Sequence, residues 1–583
     1  MISLAKYPGG VWLCDFEFRP KDGVEGNPPE VVCMVAREYF SGRTIRLWAD
    51  ELEQLKAAPF PIDQSALFVA FYASADLGCF LSLGWALPHN ILDLFTAFRV
   101  LTNGKKLLSG SGLVGALAYF GISSIPTDVK ESLRNRVLAG GPWDNPDKIE
   151  LLNYCESDVY ALQLLLPKLT QQVTPFALLQ GQYSLAVAYM ENIGVPLDVV
   201  LFNTLRNNWP KLKSSLILEV DKNYGVFEGE SFRTKLFQEY LRKNNIPWPI
   251  KTSGLLDLSD DTFAEMATIY PQLTELRELR VALSRMRLFE IPIGSDGRNR
   301  CLLSYFRSVT GRNQPSSSMF IFGPSTWLRG FIKPPEGYAL AYIDWGQQEF
   351  GIAGALSKDP NMMAAYSSGD PYLTFAKQAG AVPENANKKT HALEREQFKQ
   401  CVLAVQYGMG AESLALRIKQ PVARARQLLQ LHRTTYNVFW AWSDRVCNQA
   451  LLGGRLWTAF GWERHINAED SIRSLQNFPM QSNGSEMLRL ACIRLFRDGV
   501  RVCCPVHDAI LIEAPIDQIE EVVAHTQKIM RQASAAVLDG FELSSDAKII
   551  KYPNRYMDPR GITMWNRIMR LLGLEVEVNI DRA

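Results

Sequence analysis

Hydrophobic and polar positions alternate differently in successive parts of the chain. The first 175 residues mix three strongly apolar runs with three stretches of helical periodicity. The apolar runs lie near 11–18, 31–36 and 67–72, and the helical patterns around 90–102, 111–120 and 148–169. Short apolar runs interleaved with helical patterns predict a mixed α/β unit at this end of the chain.

After Pro175 the pattern becomes mainly helical. Residues 201–225 and 271–289 form long amphipathic stretches, and a shorter one lies at 564–574. Strand and turn signals return between 298 and 360, and helical sequence follows to about 450. These changes of period predict several units, and a length of 583 residues agrees with three to four domains.

Two apolar, strand-like runs end at a carboxylate. Residues 338–343 lead into Asp344, and two β-prone runs near residue 500 meet at His507 and Asp508. A lone carboxylate at a strand end is usually a turn residue. Two of them, each on a strongly apolar strand, form the skeleton of a site where two divalent cations clamp the attacking and leaving oxygens of a phosphoryl transfer.

Between these carboxylates lies a stripe of side chains with helical spacing. Arg395, Lys399, Leu403 and Tyr407 recur every fourth residue and would share one face of a helix. Cations followed by an apolar and an aromatic residue suit a nucleoside triphosphate, with its phosphates on the cations and its sugar and base beyond. An ordinary amphipathic helix with a solvated basic edge is the alternative.

The first third of the chain carries a second group of acidic residues. Asp15 and Glu17 alternate along one strand and therefore share a face. Asp76 follows an apolar run, and Tyr154 and Asp158 lie one helical turn apart. Taken singly, Asp76 would be a turn residue and Asp158 a solvated helix residue.

Together these motifs resemble a known family. DWGQQE at 344–349, the spacing Arg-x3-Lys-x7-Tyr-Gly and VHD at 506–508 resemble the core motifs of family A DNA polymerases, the Klenow-like DNA polymerase I type. TGR at 310–312 and the series at 473, 477 and 481 are similar to further family segments, so the resemblance covers roughly 302–553. The acids of the first third resemble the DEDDy pattern of proofreading 3′→5′ exonucleases.

The resemblance implies a multidomain protein with α/β and α+β parts. It implies an RNase H-like 3′→5′ exonuclease domain followed by a right-hand polymerase. The implied boundaries are exonuclease 1–175, mainly helical thumb and linker 176–300, first part of the palm 301–360, fingers 361–455, and second part of the palm with a tail 456–583. Four arginines of the thumb, Arg277, Arg280, Arg285 and Arg287, would either meet DNA phosphates or lie on a solvated helix face.

The same resemblance implies a role for each motif residue. Two Mg2+ ions per active site, replaceable by Mn2+, would be held by Asp344, Asp508 and the Trp345 carbonyl in the polymerase, and by Asp15, Glu17, Asp76 and Asp158 in the exonuclease. Lys399 and Tyr154 would act in catalysis. The deoxynucleoside triphosphate would meet Arg395, Lys399, Leu403, Tyr407, Gln348 and Glu349, the last of which would exclude a ribose 2′-hydroxyl. DNA would meet Arg312, Arg473, Asn477, Gln481 and His507.

Several positions depart from the family pattern. Tyr72 stands where the exonuclease motif usually has asparagine, and Ala509 where a glutamate usually follows the second polymerase aspartate. The remaining departures are Trp345, Gly346, Gly351, Tyr372 and Leu403. No metal-ligand candidate is lost, but exonuclease rate, sugar discrimination and primer-end handling are put in question.

Composition adds little to this interpretation. The net charge of +1 neither favours nor excludes a basic DNA cleft inside a large protein. Ten cysteines without a CxxC pair, and no recognisable signal peptide, predict reduced thiols in a cytoplasm, either of a bacterium or of a phage-infected host. No apolar run reaches the roughly 20 residues of a membrane helix, so a soluble protein without a membrane partner is expected.

The predicted function is therefore template-directed DNA synthesis with proofreading, by a monomer whose partners are primer-template DNA and nucleotides. A processivity partner cannot be read from the sequence. Two alternatives stay open. One is a 3′→5′ exonuclease whose degenerate polymerase half is a DNA-binding scaffold, and the other is a repair or bypass polymerase with weak proofreading.

Overall fold

The computed structural model describes residues 2–123, 127–172, 174–285, 290–406 and 408–574. Tyr407 and Arg287, both predicted to contact ligands, lie outside these ranges. None of the helices within them is long and apolar enough to cross a membrane.

The amino-terminal part is a five-stranded sheet covered by helices. Its elements are β1 Gly10–Pro20, β2 Pro29–Glu38, β3 Thr44–Trp48, α1 Ala49–Leu52, β4 Ala66–Ala70, α2 Ser74–Ser82, β5 Ile91–Asp93, α3 Leu94–Thr102, α4 Leu113–Tyr119, α5 Thr127–Ala139 and α6 Asn145–Thr170. The strand order is β3-β2-β1-β4-β5, with β1 antiparallel to β2 and parallel to β4. The long strand β1 is thus central, and both faces of the sheet bury apolar side chains.

Several elements here differ from the sequence prediction, which does not include helices α1 and α5. The helix expected from residue 90 begins as strand β5, because Ile91–Asp93 is fully buried and pairs with β4. Asp76, expected after a strand, lies in the first turn of α2. Strand β3 was not predicted. It completes the edge of the sheet by pairing with β2.

The middle of the chain is mainly helical, as predicted. Its elements are α7 Ala177–Ile193, β6 Val195–Pro196, α8 Val199–Asp221, β7 Phe227–Glu228, β8 Ser231–Phe232, α9 Thr234–Lys243, α10 Asp260–Ile269, α11 Thr274–Arg285 and β9 Arg298–Asn299. The Arg280 guanidinium lies 4.4 and 4.3 Å from the ring centroids of Phe232 and Phe263, and donates to the Leu258 carbonyl. Arg280 therefore holds this small unit together, which neither interpretation of the sequence anticipated.

The carboxy-terminal part surrounds a four-stranded antiparallel sheet. The elements are β10 Tyr338–Trp345, α12 Gln348–Ser357, α13 Pro360–Ser367, α14 Pro371–Gln378, α15 Ala392–Gln406, α16 Ala411–Ile418, α17 Val422–Thr435, α18 Asn437–Gly453, β11 Arg455–Trp457, β12 Glu463–His465, α19 Ile472–Arg497, β13 Arg501–Val506, β14 Ala509–Pro515, α20 Ile519–Val537, β15 Ser545–Lys551 and α21 Ile562–Leu571. The sheet order is β13-β14-β10-β15. Strand β10 is therefore internal, with β14 on one side and β15 on the other.

The amino-terminal sheet is joined to the rest of the chain by a buried hydrogen-bond network. Asp93, at the end of β5, accepts from the Tyr305 hydroxyl at 2.5 Å and from the Ser184 hydroxyl of α7 at 3.1 Å. It also accepts from the Tyr72 amide at 3.0 Å. The Tyr72 and Tyr305 rings lie 4.8 Å apart, centroid to centroid. Two residues far apart in sequence thus pack together across the junction.

Candidate active site

Two predicted carboxylates meet at one end of the carboxy-terminal sheet. Asp344 lies near the end of β10, directly opposite Ala509, the first residue of β14. Asp508 is in the two-residue turn between β13 and β14, where His507 has a φ of 57°. The Trp345 amide donates to the Asp508 carbonyl at 3.5 Å. The structure therefore brings Asp344, Trp345, His507 and Asp508 together as the sequence predicted.

The Asp344 carboxylate lies in an environment of uncompensated negative charge. Burial, together with the neighbouring charges of Asp508 and Asp546, raises its pKa to about 7. Its Oδ1 is buried without a hydrogen-bond partner. Among the described residues, no lysine or arginine forms an ion pair with Asp344, Asp508 or Asp546. Such oxygen donors fit a hard divalent cation.

The carboxylates of Asp344, Asp508 and Asp546 do not by themselves form a complete metal site. In the described ranges, no three His, Cys, Asp or Glu side chains form a group that could hold a metal. A cation held by Asp344 and Asp508 would therefore complete its ligands with backbone or non-protein oxygens, as Mg2+ commonly does.

A pocket next to Glu349 is lined by residues of helices α12, α13, α15, α17, α18 and α19. Glu349 of α12, Val402 and Gln406 of α15, and Asn477 and Gln481 of α19 all contribute to its wall. Burial raises the pKa of Glu349, while Arg312, whose guanidinium lies 3.5 Å from the Glu349 carboxylate, opposes that rise. The predicted sugar-selecting residue and two predicted DNA contacts thus share one cavity.

The two predicted phosphate-binding cations are engaged by acids. Arg395 Nε donates to Asp370 at 2.8 Å, and its guanidinium lies 5.6 Å from the Tyr372 ring centroid. The Lys399 ammonium lies 3.7 Å from the Glu396 carboxylate. Both pairs are partly exposed and therefore weak, so a triphosphate could replace the acids at small cost. No sequence pattern predicts Asp370 as a partner of Arg395.

The remaining polymerase candidates lie around this pocket. Arg473 packs against Gly408, where φ is +60° and a Cβ atom would lie 2.7 Å from Arg473 Nε, so only glycine fits there. Gln348 is buried, with its Oε1 against Gly484 of α19. Burial lowers the pKa of His507, while the charge of Asp508 opposes this. Leu403 of α15 is half-buried.

The amino-terminal acids converge from three elements. Asp15 and Glu17 come from β1, Asp76 from α2, and Tyr154 and Asp158 from α6. The Phe16 amide donates to Asp76 Oδ1 at 3.1 Å, and the Cys155 thiol donates to the Asp15 carbonyl at 3.2 Å. The five predicted residues thus lie around one region between the central strand and two helices, although no three of these acids form a group that could hold a metal within the described ranges.

The acids of this second cluster strongly influence one another. Burial first, and then repulsion from neighbouring carboxylates, raises the pKa of Asp15 to about 8 and that of Glu17 to about 10. The pKa values of Asp76 and Asp158 are also raised, chiefly by burial. Lys130 of α5 forms an ion pair with Asp158, and its ammonium lies 5.9 Å from the Tyr154 ring centroid. No sequence pattern predicts Lys130 as a member of this cluster.

Comparison with known proteins assigns part of the chain to a family. Residues 324–549 match the model of DNA polymerase family A. DNA polymerase I of Thermus thermophilus is 25% identical over 376 residues, which cover 60% of this chain and 45% of that protein. The DNA polymerase of Mycobacterium phage L5 is 24% identical over 407 residues, covering 68% of this chain and 64% of that protein. The chain thus matches less than half the length of the Thermus protein.

A solved structure is similar over nearly the whole chain. It is the POL domain of Pol1 from M. smegmatis, in complex with DNA primer-template and dNTP. The TM-score is 0.68 at 17% identity, over 94% of this chain and 96% of that one, so the two share a fold. The family expected from the motifs at 344–349 and 506–508 is confirmed, because both motifs lie inside the matched range. Residues 324–549 therefore belong to DNA polymerase family A.

Proposed function

We propose that this protein extends a DNA primer along a template and trims mismatched 3′ ends. One observation carries the polymerase part. Within the family A region, Asp344 and Asp508 stand at neighbouring strand ends beside a pocket lined by the helices that carry Glu349, Asn477 and Gln481. In this arrangement residues 176–300 serve as thumb and linker, 301–360 and 456–583 as palm, and 361–455 as fingers.

Asp344 and Asp508, with the Trp345 carbonyl, would hold two Mg2+ ions, and Mn2+ has the same preference for oxygen ligands. When bound, these ions lower the pKa of the primer 3′-hydroxyl and neutralise the charge of the leaving pyrophosphate. The partial burial of Asp344 strengthens its attraction for a cation, because water screens the charge less there.

The protein side chains position the nucleotide. Arg395 and Lys399 of α15 exchange Asp370 and Glu396 for the triphosphate, and Lys399 supplies positive charge to the departing oxygens. Glu349, held by Arg312, stands against the 2′ position of the sugar and excludes a ribose hydroxyl. Gln348, next to Glu349 at the start of α12, also binds the nucleotide, while Leu403 and Tyr407 contact sugar and base. Arg312, Arg473, Asn477, Gln481 and His507 contact the primer and the template.

The amino-terminal unit, residues 1–175, would carry the 3′→5′ exonuclease. The convergence of Asp15, Glu17, Asp76 and Asp158 supports this, because hydrolysis of a phosphodiester uses two cations held by carboxylates. Tyr154, one helical turn from Asp158, orients the attacking water. Tyr72, in place of the usual asparagine, contacts Tyr305 and leaves every carboxylate in place.

We also propose that the protein acts as a monomer in a bacterial cytoplasm or a phage-infected host. Its relatives in bacteria and in a mycobacterial phage support this setting.

A single assay with the wild-type protein tests both activities. A labelled primer with either a matched or a mismatched 3′ end is annealed to single-stranded DNA, and Mg2+ is added with or without deoxynucleotides. We expect extension of the matched primer, and trimming of the mismatched end before extension. Absence of extension would refute the polymerase assignment. Extension without trimming would refute only the exonuclease assignment.

A further inference from the structure

A third acidic residue lies beside the proposed polymerase cation site. Asp546, on the edge strand β15, pairs directly with Asp344 across the sheet. Directly opposed residues of antiparallel strands place their side chains on the same face, with Cβ atoms about 4.5–5.5 Å apart. On the other side of β10, the residue opposite Asp344 is the methyl side chain of Ala509. Asp344 thus has one charged and one uncharged neighbour.

The Asp546 carboxylate points along the sheet towards the end of β10. Its Oδ2 lies 3.9 Å from the position that a Cβ atom on Gly346 would occupy, two residues beyond Asp344. Within the described ranges Asp546 makes no hydrogen bond or ion pair. Lys548, the next residue on the same face of β15, instead donates from its ammonium to the Met557 carbonyl at 2.8 Å.

This placement is unfavourable without a cation. Asp546 is exposed and stands directly opposite Asp344, and like charges at this range repel each other. A divalent cation bound at Asp344 and Asp508 would outweigh this repulsion, because the cation attracts all three carboxylates.

We infer that Asp546 is a third anionic residue of the polymerase cation site and strengthens divalent-cation binding from outside the direct ligands. The inference rests on the proposed polymerase function. We place Asp546 outside the direct ligands because, among the described residues, no three His, Cys, Asp or Glu side chains form a group that could hold a metal. Carboxylates in this position commonly change metal affinity by roughly 10–100-fold.

The test measures cation binding separately from catalysis. Every protein carries Asp15→Ala and Glu17→Ala, so that bound Mn2+ reports on the polymerase site. Free Mn2+ is measured by electron paramagnetic resonance during titration, without DNA or nucleotide. Asp546→Asn is expected to weaken Mn2+ binding about tenfold, and Asp546→Glu, which keeps the charge, to weaken it much less. Asp539→Asn removes an equally exposed charge at the end of α20 and should change nothing.

A second measurement uses the Mg2+ dependence of single-nucleotide incorporation. Asp546→Asn should raise the half-saturating Mg2+ concentration about tenfold while the rate at saturating Mg2+ stays nearly unchanged.

The outcomes separate two kinds of failure. If Asp508→Ala abolishes Mn2+ binding but Asp546→Asn leaves it unchanged, the inference about Asp546 is wrong and the proposed function stands. If Asp508→Ala also leaves Mn2+ binding unchanged, the polymerase cation site itself is wrong. Unfolding temperatures of all variants show whether lost binding reflects lost structure.

Discussion

The two carboxylate clusters differ in what compensates their adjacent negative charges. In the amino-terminal cluster the acids lie deep between β1, α2 and α6, and Lys130 contributes an internal cation to Asp158. In the polymerase cluster Asp344 and Asp508 are half-buried and Asp546 is exposed, and no described lysine or arginine forms an ion pair with them. The first cluster can be neutralised by protons and a lysine, whereas the second depends on cations from solution.

Because of this difference, we expect metal affinity to depend on pH more strongly at the amino-terminal site than at the polymerase site. Without metal at neutral pH, pKa values near 8 for Asp15 and near 10 for Glu17 keep these acids largely protonated. Metal binding at that site must therefore displace protons, which makes affinity pH-dependent. At the polymerase site the pKa of Asp344 is raised to about 7, so cation binding there displaces a proton mainly below neutral pH.

The largest expected effect is loss of synthesis without loss of trimming. Asp508→Ala should reduce primer extension by at least about a thousandfold, because the aspartate would hold both ions and Ala509 offers no substitute. Degradation of a single-stranded 3′ end should be unchanged. Asp517→Ala, an exposed acid after β14, is the matched control for both assays. More than trace extension by Asp508→Ala would contradict the assignment of Asp508.

The reciprocal change should affect only the buried cluster. Asp15→Ala combined with Glu17→Ala should abolish 3′→5′ degradation and raise misincorporation, with extension of a matched primer preserved. Glu25→Ala, an exposed acid of the same unit, provides the control. If the double variant trims mismatched primers like the wild type, the exonuclease site lies elsewhere.

The pH dependence of stability should come mainly from the buried cluster. Acids whose pKa is raised by folding hold protons that the unfolded chain has released, so stability falls as pH rises from about 4 through the folded-state pKa values. For Asp15 and Glu17 this window extends to about pH 8 and about pH 10. The unfolding temperature of the metal-free protein, measured by calorimetry, should therefore be lower at about pH 9 than at about pH 6.

Two comparisons sharpen this pH prediction. Mn2+ should raise the unfolding temperature more at the higher pH, because fewer protons remain to be displaced. In the Asp15→Ala, Glu17→Ala double variant the pH dependence should be flatter than in the wild type. Equal pH dependence in both proteins would mean that these acids do not carry the effect.

The smallest expected effect concerns sugar selection at Glu349. Glu349→Ala should increase ribonucleotide incorporation relative to deoxynucleotide incorporation, because it removes the side chain that blocks the 2′-hydroxyl. Glu349→Gln keeps the size but loses the charge and its attraction to Arg312. Single-nucleotide kinetics distinguish the two causes. If Glu349→Gln still excludes ribonucleotides, the block is steric. If Glu349→Gln admits them, the ion pair with Arg312 is needed to position the side chain.

Local patterns predicted the parts of the molecule that depend on local sequence. The apolar runs around Asp508 became β13 and β14 with the aspartate in their turn, and the four-residue spacing after Arg395 became α15. Helix α2 was missed because both of its faces are buried, which removes the amphipathic signal.

Non-local contacts could not be predicted. β5 is only three residues long and exists because it pairs with β4, and the position of Asp546 follows from how β15 pairs with β10. Neither Lys130 nor Asp546 belongs to a motif. Each enters its cluster through a tertiary contact that no periodicity encodes.

The buried network at Asp93 determines how far the two halves of the protein are separable. Tyr305 and Ser184, which belong to the polymerase half by sequence, are partners of an aspartate in the first sheet, and Tyr72 packs on Tyr305 in return. Asn103 also donates across the junction, to the carbonyls of Val309 and Glu463. A truncation that began at residue 176 would expose this aromatic surface and leave the Tyr305 hydroxyl without its acceptor. The amino-terminal unit is thus structurally joined to the carboxy-terminal half, and point substitutions, not deletions, are the means of separating the two proposed activities.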